Sequence, residues 1–149
     1  MEAVVVIHNH RKEDNMAEWI STITQTVDTN ANILFDETVV PPCPKVRHRK
    51  FSGVFTFKGG RFIVTFGANI AIPTGETPAP LSLAISLNGE PLPNGVMTVT
   101  PAAVGDLFNV SRAIEIDVPC NCCYTLSITN VGTTPVQVED ANLISVKEA

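Results

Sequence analysis

The feature that most constrains this chain is a hydrophobic repeat of two residues. In "LSLAISL", Leu81, Leu83, Ile85 and Leu87 fall on one side, and Ser82, Ala84 and Ser86 on the other. Successive side chains of an extended strand point to opposite faces, so this pattern suits a strand and not a helix. The same beat runs through "FIVTF" (Phe62 to Phe66), "AIEIDV" (Ala113 to Val118) and "YTLSIT" (Tyr124 to Thr129). "VQVED" and "NLISV" add two short runs near the C-terminus. The small face of "LSLAISL" predicts close covering by another surface.

Turn signals separate the runs. "NGE", Asn88 to Glu90, predicts a hairpin, because Asn and Gly accept positive φ. "KGG", "PTGETPAP", "PNG", "VPCN" and "NVGTTP" mark further breaks. Short strands at this spacing predict an all-β sandwich or barrel. Helix is limited to at most one turn in "NMAEWISTITQ", where β-branched residues disfavour it. With 149 residues and no repeat, the chain reads as one domain.

Residues 1–26 are expected to form an N-terminal arm, with the folded domain over 27–149. Met16 opens "MAEWISTITQTV" and follows "RKEDN". Codons for Lys-Glu-Asp can hold a purine-rich ribosome-binding sequence, so Met16 is expected to be the true start and residues 1–15 to lie upstream of it.

Charge limits the partners. Net charge is −5, and charged residues make up only 17%. No basic face dominates, which argues against a nucleic-acid footprint. So sparse a charge suits a chain that hides surface in an oligomer. The one basic cluster, "KVRHRK" (Lys45 to Lys50), reads as a solvated loop beside a strand, with contact to nucleic acid or to an acidic neighbour as the sharper alternatives. No apolar run is long enough to span a membrane, and the opening residues lack a signal-peptide pattern. Synthesis in a reducing cytoplasm is the expectation, which disfavours disulfides.

Catalytic patterns are thin. There is no G-x-S-x-G elbow, phosphate loop or H-E-x-x-H. His8 and His10 lack an acidic ligand at a convincing spacing. Glu115 and Asp117 share a strand face and read as its solvated side, while Glu139 and Asp140 are adjacent and point apart. Asp106 alone is too little for calcium. No catalytic residue, metal site or cofactor is expected.

Three of four cysteines crowd into "CNCC": Cys120, Cys122 and Cys123, with Cys43 far upstream. C-x-C-C does not match paired zinc elements, and the C-x-x-C spacing lacks the βαβ setting of a redox motif. Buried or interface-packing thiols are expected. The alternative is a disulfide, joining Cys43 to one of the three or joining subunits.

The stretch "RFIVTFGANIAIPTGETPAPLSLAISLNGEPLPNGVMTVTPA" resembles the bacterial and phage branch of the tumour-necrosis-factor and complement-head jelly rolls, found at the C-terminus of spore-surface glycoproteins. Gly60, Phe62, Val64, Thr65, Phe66, Ala68 and Asn69 match one strand element of that family. Leu83, Ile85, Leu87, Asn88 and Gly89 match a second, and "CYTLSITNVGTTPVQVEDANLISVK" the final pair. The resemblance runs from about Val27 to Lys147 and implies an antiparallel jelly-roll sandwich of about ten strands, assembled as a homotrimer.

With "MAEWISTITQTV" and "PCNCCYTLSI" the chain also resembles small structural proteins of phages infecting Gram-positive gut bacteria, which implies a non-enzymatic virion protein, a trimeric decoration or cement protein on a phage head. Its partners would be itself and the major capsid protein or other virion proteins, with no nucleic acid and no membrane. The alternative is a receptor-binding or adhesion head on a phage tail or a bacterial cell or spore surface, with a glycan as a possible receptor. Such a head would use the Pro73–Pro80 and Val104–Asn109 loops. Trimer-interface candidates are Phe62, Val64, Phe66, Tyr124, Leu126 and Ile128. Capsid-contact candidates are Trp19, Ile20 and Ile23.

Overall fold

The computed structural model describes residues 15–148. It contains nine strands and, among the described residues, no helix. They are β1 (Met16–Ile20), β2 (Gln25–Val27), β3 (Glu37–Val40), β4 (Val46–His48), β5 (Phe55–Ala71), β6 (Leu81–Leu87), β7 (Glu90–Val99), β8 (Phe108–Asn130) and β9 (Val136–Lys147). The hydrogen-bonded path is β3-β1-β9-β5-β8-β6-β7, with β2 on β9 and β4 on β5. Every strand pair is antiparallel.

β5 and β8 form one long ribbon that rolls this path into two layers. The Gly60–Ala71 part of β5 lies between β9 and the start of β8. The Phe55–Lys58 part lies between β4 and the end of β8, which passes on to β6. The sequence encodes the bend as a change of phase. Phe55 and Phe57 are inward at odd positions, whereas Phe62, Val64, Phe66, Ala68 and Ile70 are inward at even ones. One flat strand would put the two sets on opposite sides. A bulge at Gly59–Gly60, with Gly60 at φ 149°, aims both at one core.

The core lies between the layers. Phe57 meets Phe62 edge-on across it at 4.9 Å between ring centroids. Trp19 of β1 meets Phe55 at 4.8 Å, and Phe55 in turn meets Phe35 at 5.3 Å. Each such ring, fully buried, contributes about 2–3 kcal/mol of apolar transfer. Buried Asn130 is held by three hydrogen bonds: its Nδ2 donates to Val27 O and Thr134 O, and its Oδ1 accepts from Gly132 N.

The expected hairpin is present, with Asn88 and Gly89 at φ 53° and 83° joining β6 to β7. The small face of β6 is covered within the chain: Ala84 and Ser86 are fully buried, and Ser86 bonds Thr129 at 3.0 Å. The N-terminal boundary differs from the sequence expectation. Residues 16–20 and 25–27 are strands of the domain, because β1 and β2 both pair with β9. Residues 1–14, including His8 and His10, lie outside the described residues.

Candidate interaction surfaces

Five of the six residues expected at a trimer interface lie instead in the core of a single chain. Phe62, Val64, Phe66, Leu126 and Ile128 have no exposed surface, and Tyr124 is half-buried against the same core. A fully enclosed side chain has nothing to offer a partner. Alternation separated the two faces of each strand correctly, but the bulky face is the inner one, since a sandwich fills its interior to close packing. Trp19, expected at a shell contact, is also in the core at 1% exposure. Ile20 is half-buried and Ile23 is 44% exposed, so only these two keep surface for a partner.

The apolar surface left open is the outer face of the layer formed by β1, β9, the Gly60–Ala71 part of β5 and the start of β8. Met16, Val146 and Ile63 stand directly opposite one another across three strands, as do Glu18, Ile144, Thr65 and Ala113 across four. Ile63 is 40% exposed and Met16 41%. Cross-strand neighbours project from the same face, so these side chains form a continuous patch. Further along, Asn109 donates to Asn69, and Asn69 to Asp140, each at 3.1 Å.

The two poles of the sandwich differ. At one, Lys147 N donates to Asn15 O and Glu148 N to Arg61 O, so both ends of the described chain meet the cysteine turn there. At the other, Gly105 N donates to Ile72 O at 3.1 Å, bringing the Pro73–Pro80 and Val104–Asn109 loops together. Val104, Leu107 and Phe108 are exposed on that pole.

The cysteines mark the corner of the roll. Pro119 to Cys122 bulge out of β8 where Lys58 pairs with Cys123 and Gly60 with Val118, with Asn121 at φ 67°. All four thiols are free; Cys120, Cys122 and Cys123 are exposed and Cys43 is half-buried. The expectation of buried or interface-packing thiols is corrected in its first half for these three: they sit on the outside of a bend, which has no interior of its own chain to pack into. Lys45 and Lys58 flank them. Among the described residues, no three His, Cys, Asp or Glu side chains converge as metal ligands would.

Of the carboxylates, Asp117 pairs with Arg61 at 3.7 Å, both exposed. A hydrogen bond with the Glu115 side chain holds the Glu148 carboxyl above its ordinary range. Asp36 is held below its ordinary range by the hydroxyl and backbone N–H of Thr22. His48 is pushed down by burial, although its hydrogen bond with Ser52 O at 2.8 Å acts the other way. Its ring stacks on Phe55 at 4.3 Å.

The basic run divides on folding. Val46 is buried, whereas Arg47 and Arg49 project outward beside a groove and Lys50 beside a smaller recess with Asp36 and Glu37. Sequence reasoning overlooked this groove, because Ser52, Val54 and Thr56 complete it from the neighbouring strand and turn.

No protein-family profile matches the chain, and no curated protein does. Solved structures do match. The globular domain of zebrafish complement 1qA superposes with a TM-score of 0.63 at 13% identity, covering 88% of this chain and 94% of that one. Murine APRIL gives 0.67 at 8% identity, over 89% and 98%. The vertex protein P5 of PRD1 gives 0.51 at 15% identity, over 91% and 98%. With the rolled two-layer topology and the continuous β5–β8 ribbon, these likenesses show that the chain has the antiparallel jelly-roll fold seen in the complement-head and tumour-necrosis-factor structures.

Proposed function

We propose that this protein is a non-enzymatic structural protein of a phage particle, a homotrimer that decorates or cements the head shell. The observation that carries the trimer is the uncovered apolar row Met16–Val146–Ile63, with Ile144 beside it, on the outer face of one layer. Among the described residues nothing covers that surface, and a closed threefold assembly would bury it. The polarity of the domain supports attachment. The pole where both ends of the described chain emerge would face the shell, and the Pro73–Pro80 pole would face outward. Repeated weak contacts at a local threefold axis gain from multivalency. The likeness to a phage vertex protein supports the virion setting.

The test is cryo-electron microscopy of particles made by the source strain, with sedimentation of the purified protein alongside. Trimers seated on the shell are expected. Monomers in solution, or particles carrying no such density, would reject the reading.

A second reading, a receptor-binding or adhesion head on a tail or cell surface, draws on Val104, Leu107 and Phe108, which are exposed together beside the Pro73–Pro80 loop. Density at the tail tip would favour it.

A further inference from the structure

The turn from Arg49 to Ser52 holds an aromatic side chain in an unfavourable backbone conformation at the surface. Ser52 N donates to Arg49 O at 2.9 Å, closing the turn, and Phe51 occupies its third position at φ 66°. Glycine takes this left-handed region freely, and bulky residues rarely do. Yet Phe51 is 54% exposed, so its ring gains little from burial in its own chain. The surroundings enforce the conformation. Phe51 N donates to Phe35 O at 2.8 Å, Phe35 N to Ser52 O at 3.2 Å, and His48 also bonds Ser52 O. Beneath them, Phe35 and His48 both pack on Phe55.

Charge adds a second, independent observation. Beside the turn runs a groove of about 710 Å³, whose polar lining is Arg47, His48, Arg49, Ser52 and Thr56, with Val46, Val54 and Pro42 as its apolar part. Among the described residues, no carboxylate lines it. Asp36 and Glu37 lie in a separate recess beyond His48, shared with Lys50. Among the described residues, the single ion pair is Arg61–Asp117, at the pole of the chain ends. Among the described residues, Arg47 and Arg49 thus form no ion pair in a protein of net charge −5, whereas Lys50 shares its recess with Asp36 and Glu37. Lys50 Nζ lies 5.5 Å from the Phe51 ring centroid. A strained, exposed aromatic beside a groove lined by two arginines points to a site shaped for a ligand.

We propose that this groove binds a segment of acidic polysaccharide, a chain of sugars bearing carboxylates. Guanidinium groups are planar forks that match a carboxylate with two parallel hydrogen bonds. Ser52, Thr56 and His48 supply hydrogen bonds suited to sugar hydroxyls, and the exposed Phe51 ring, on the turn between the lining residues Arg49 and Ser52, offers a flat apolar surface to a sugar that extends past the groove's edge. A peptide added as a strand would need a longer free edge than β4, which has three residues. Nucleic acid would call for a broader basic footprint than an acidic protein of this size presents. The site goes beyond the decoration reading and stands whether or not that reading holds.

The experiment is calorimetric titration of the full chain with oligogalacturonate, compared with a neutral oligosaccharide of equal length, polyglutamate and single-stranded DNA. Saturable binding is expected for oligogalacturonate alone. Arg47→Glu with Arg49→Glu should weaken it by about tenfold or more, the loss expected for a charge-assisted hydrogen bond. Phe51→Gly should weaken it by a similar factor while raising the thermal midpoint, because the turn is relieved of strain; misfolding then cannot explain the loss. Absence of binding overturns the proposal. So does polyglutamate or DNA binding as tightly as the uronate, or Phe51→Gly binding as well as the parent.

Discussion

Gly59 passes so close beneath Cys120 that a methyl group on its Cα would sit 3.0 Å from the Cys120 Cα and 3.0 Å from Pro119 O. Both neighbours are backbone atoms of the corner bulge, so neither can swing aside. The bulge and the glycine are two halves of one device that turns the β5–β8 ribbon from one layer to the other. Gly59→Ala should therefore destabilise the protein by about 1–3 kcal/mol, the range for overpacking. The thiols lie on the outer side of the same bend and are exposed. Replacing Cys120, Cys122 and Cys123 together by Ser should change stability by less than about 0.5 kcal/mol each, as for ordinary surface sites. Denaturant titration of both variants under reducing conditions compares the two expectations.

His48 makes stability depend on pH in a defined direction. Burial against Phe55 lowers its pKa in the folded chain, so the folded state resists its protonation. Unfolded, the ring takes up a proton near its ordinary value of about 6.5. Below that pH the unfolded state binds the proton first, and stability falls as pH drops from about 6.5 toward the lower folded value. Above it both states are neutral and the contribution is fully present. Denaturant midpoints measured from neutral to mildly acidic pH should fall. His48→Gln should flatten that part of the curve.

The central architecture was legible because β5, β6, β8 and β9 alternate strongly, and because Asn88–Gly89 states its turn chemistry locally. Three things were not. The strand at Met16–Ile20 carries only two inward residues, Ala17 and Trp19, and its partner β9 lies at the far end of the chain; a local pattern cannot register so distant a pairing. The trimer candidates were drawn from the wrong phase, since alternation names two faces and leaves open which one faces the core. Here Phe62 and Phe66 fill the interior, while the smaller Ile63 and Thr65 look outward. The groove beside Arg47 was invisible for a third reason: Thr56 faces Arg47 only through the β4–β5 register.

The proposed assembly can be tested by one pair of substitutions on adjacent residues. Ile63 projects from the outer face opposite Val146, and Phe62 points into the core. Ile63→Lys should leave the folded jelly roll intact and shift a trimer toward monomer. A central interface residue is worth about 2 kcal/mol or more, which weakens association by a factor above about twentyfold. Phe62→Lys should instead prevent folding, because it places a charge in the enclosed core. Sedimentation velocity with circular dichroism separates the outcomes. An Ile63→Lys protein that sediments like the parent would place the interface elsewhere.

Asn130 closes the far end of β8 from inside. Its side-chain nitrogen donates to Val27 O at 3.0 Å and Thr134 O at 2.9 Å, tying the end of β2 to the loop before β9. Its oxygen accepts from Gly132 N at 2.9 Å, and the residue has no exposed surface. Asn130→Ala would strand two carbonyls and one N–H away from water. Each unsatisfied group costs about 1–3 kcal/mol, less whatever a water entering the vacated space restores, so a loss of about 3 kcal/mol or more is expected. Asn130→Asp is the sharper change. It keeps the shape and the contact with Gly132 N, but turns the donor that serves both carbonyls into an acceptor. An ionised carboxylate there would face two carbonyl oxygens at hydrogen-bond distance, and protonation would restore one donor of the two. Asn130→Asp should therefore be at least as damaging as Asn130→Ala at neutral pH and should recover stability as pH falls, opposite in sign to the His48 effect. Thermal melts of both variants across pH decide the matter, and an aspartate variant as stable as the parent at neutral pH would refute this role for the amide.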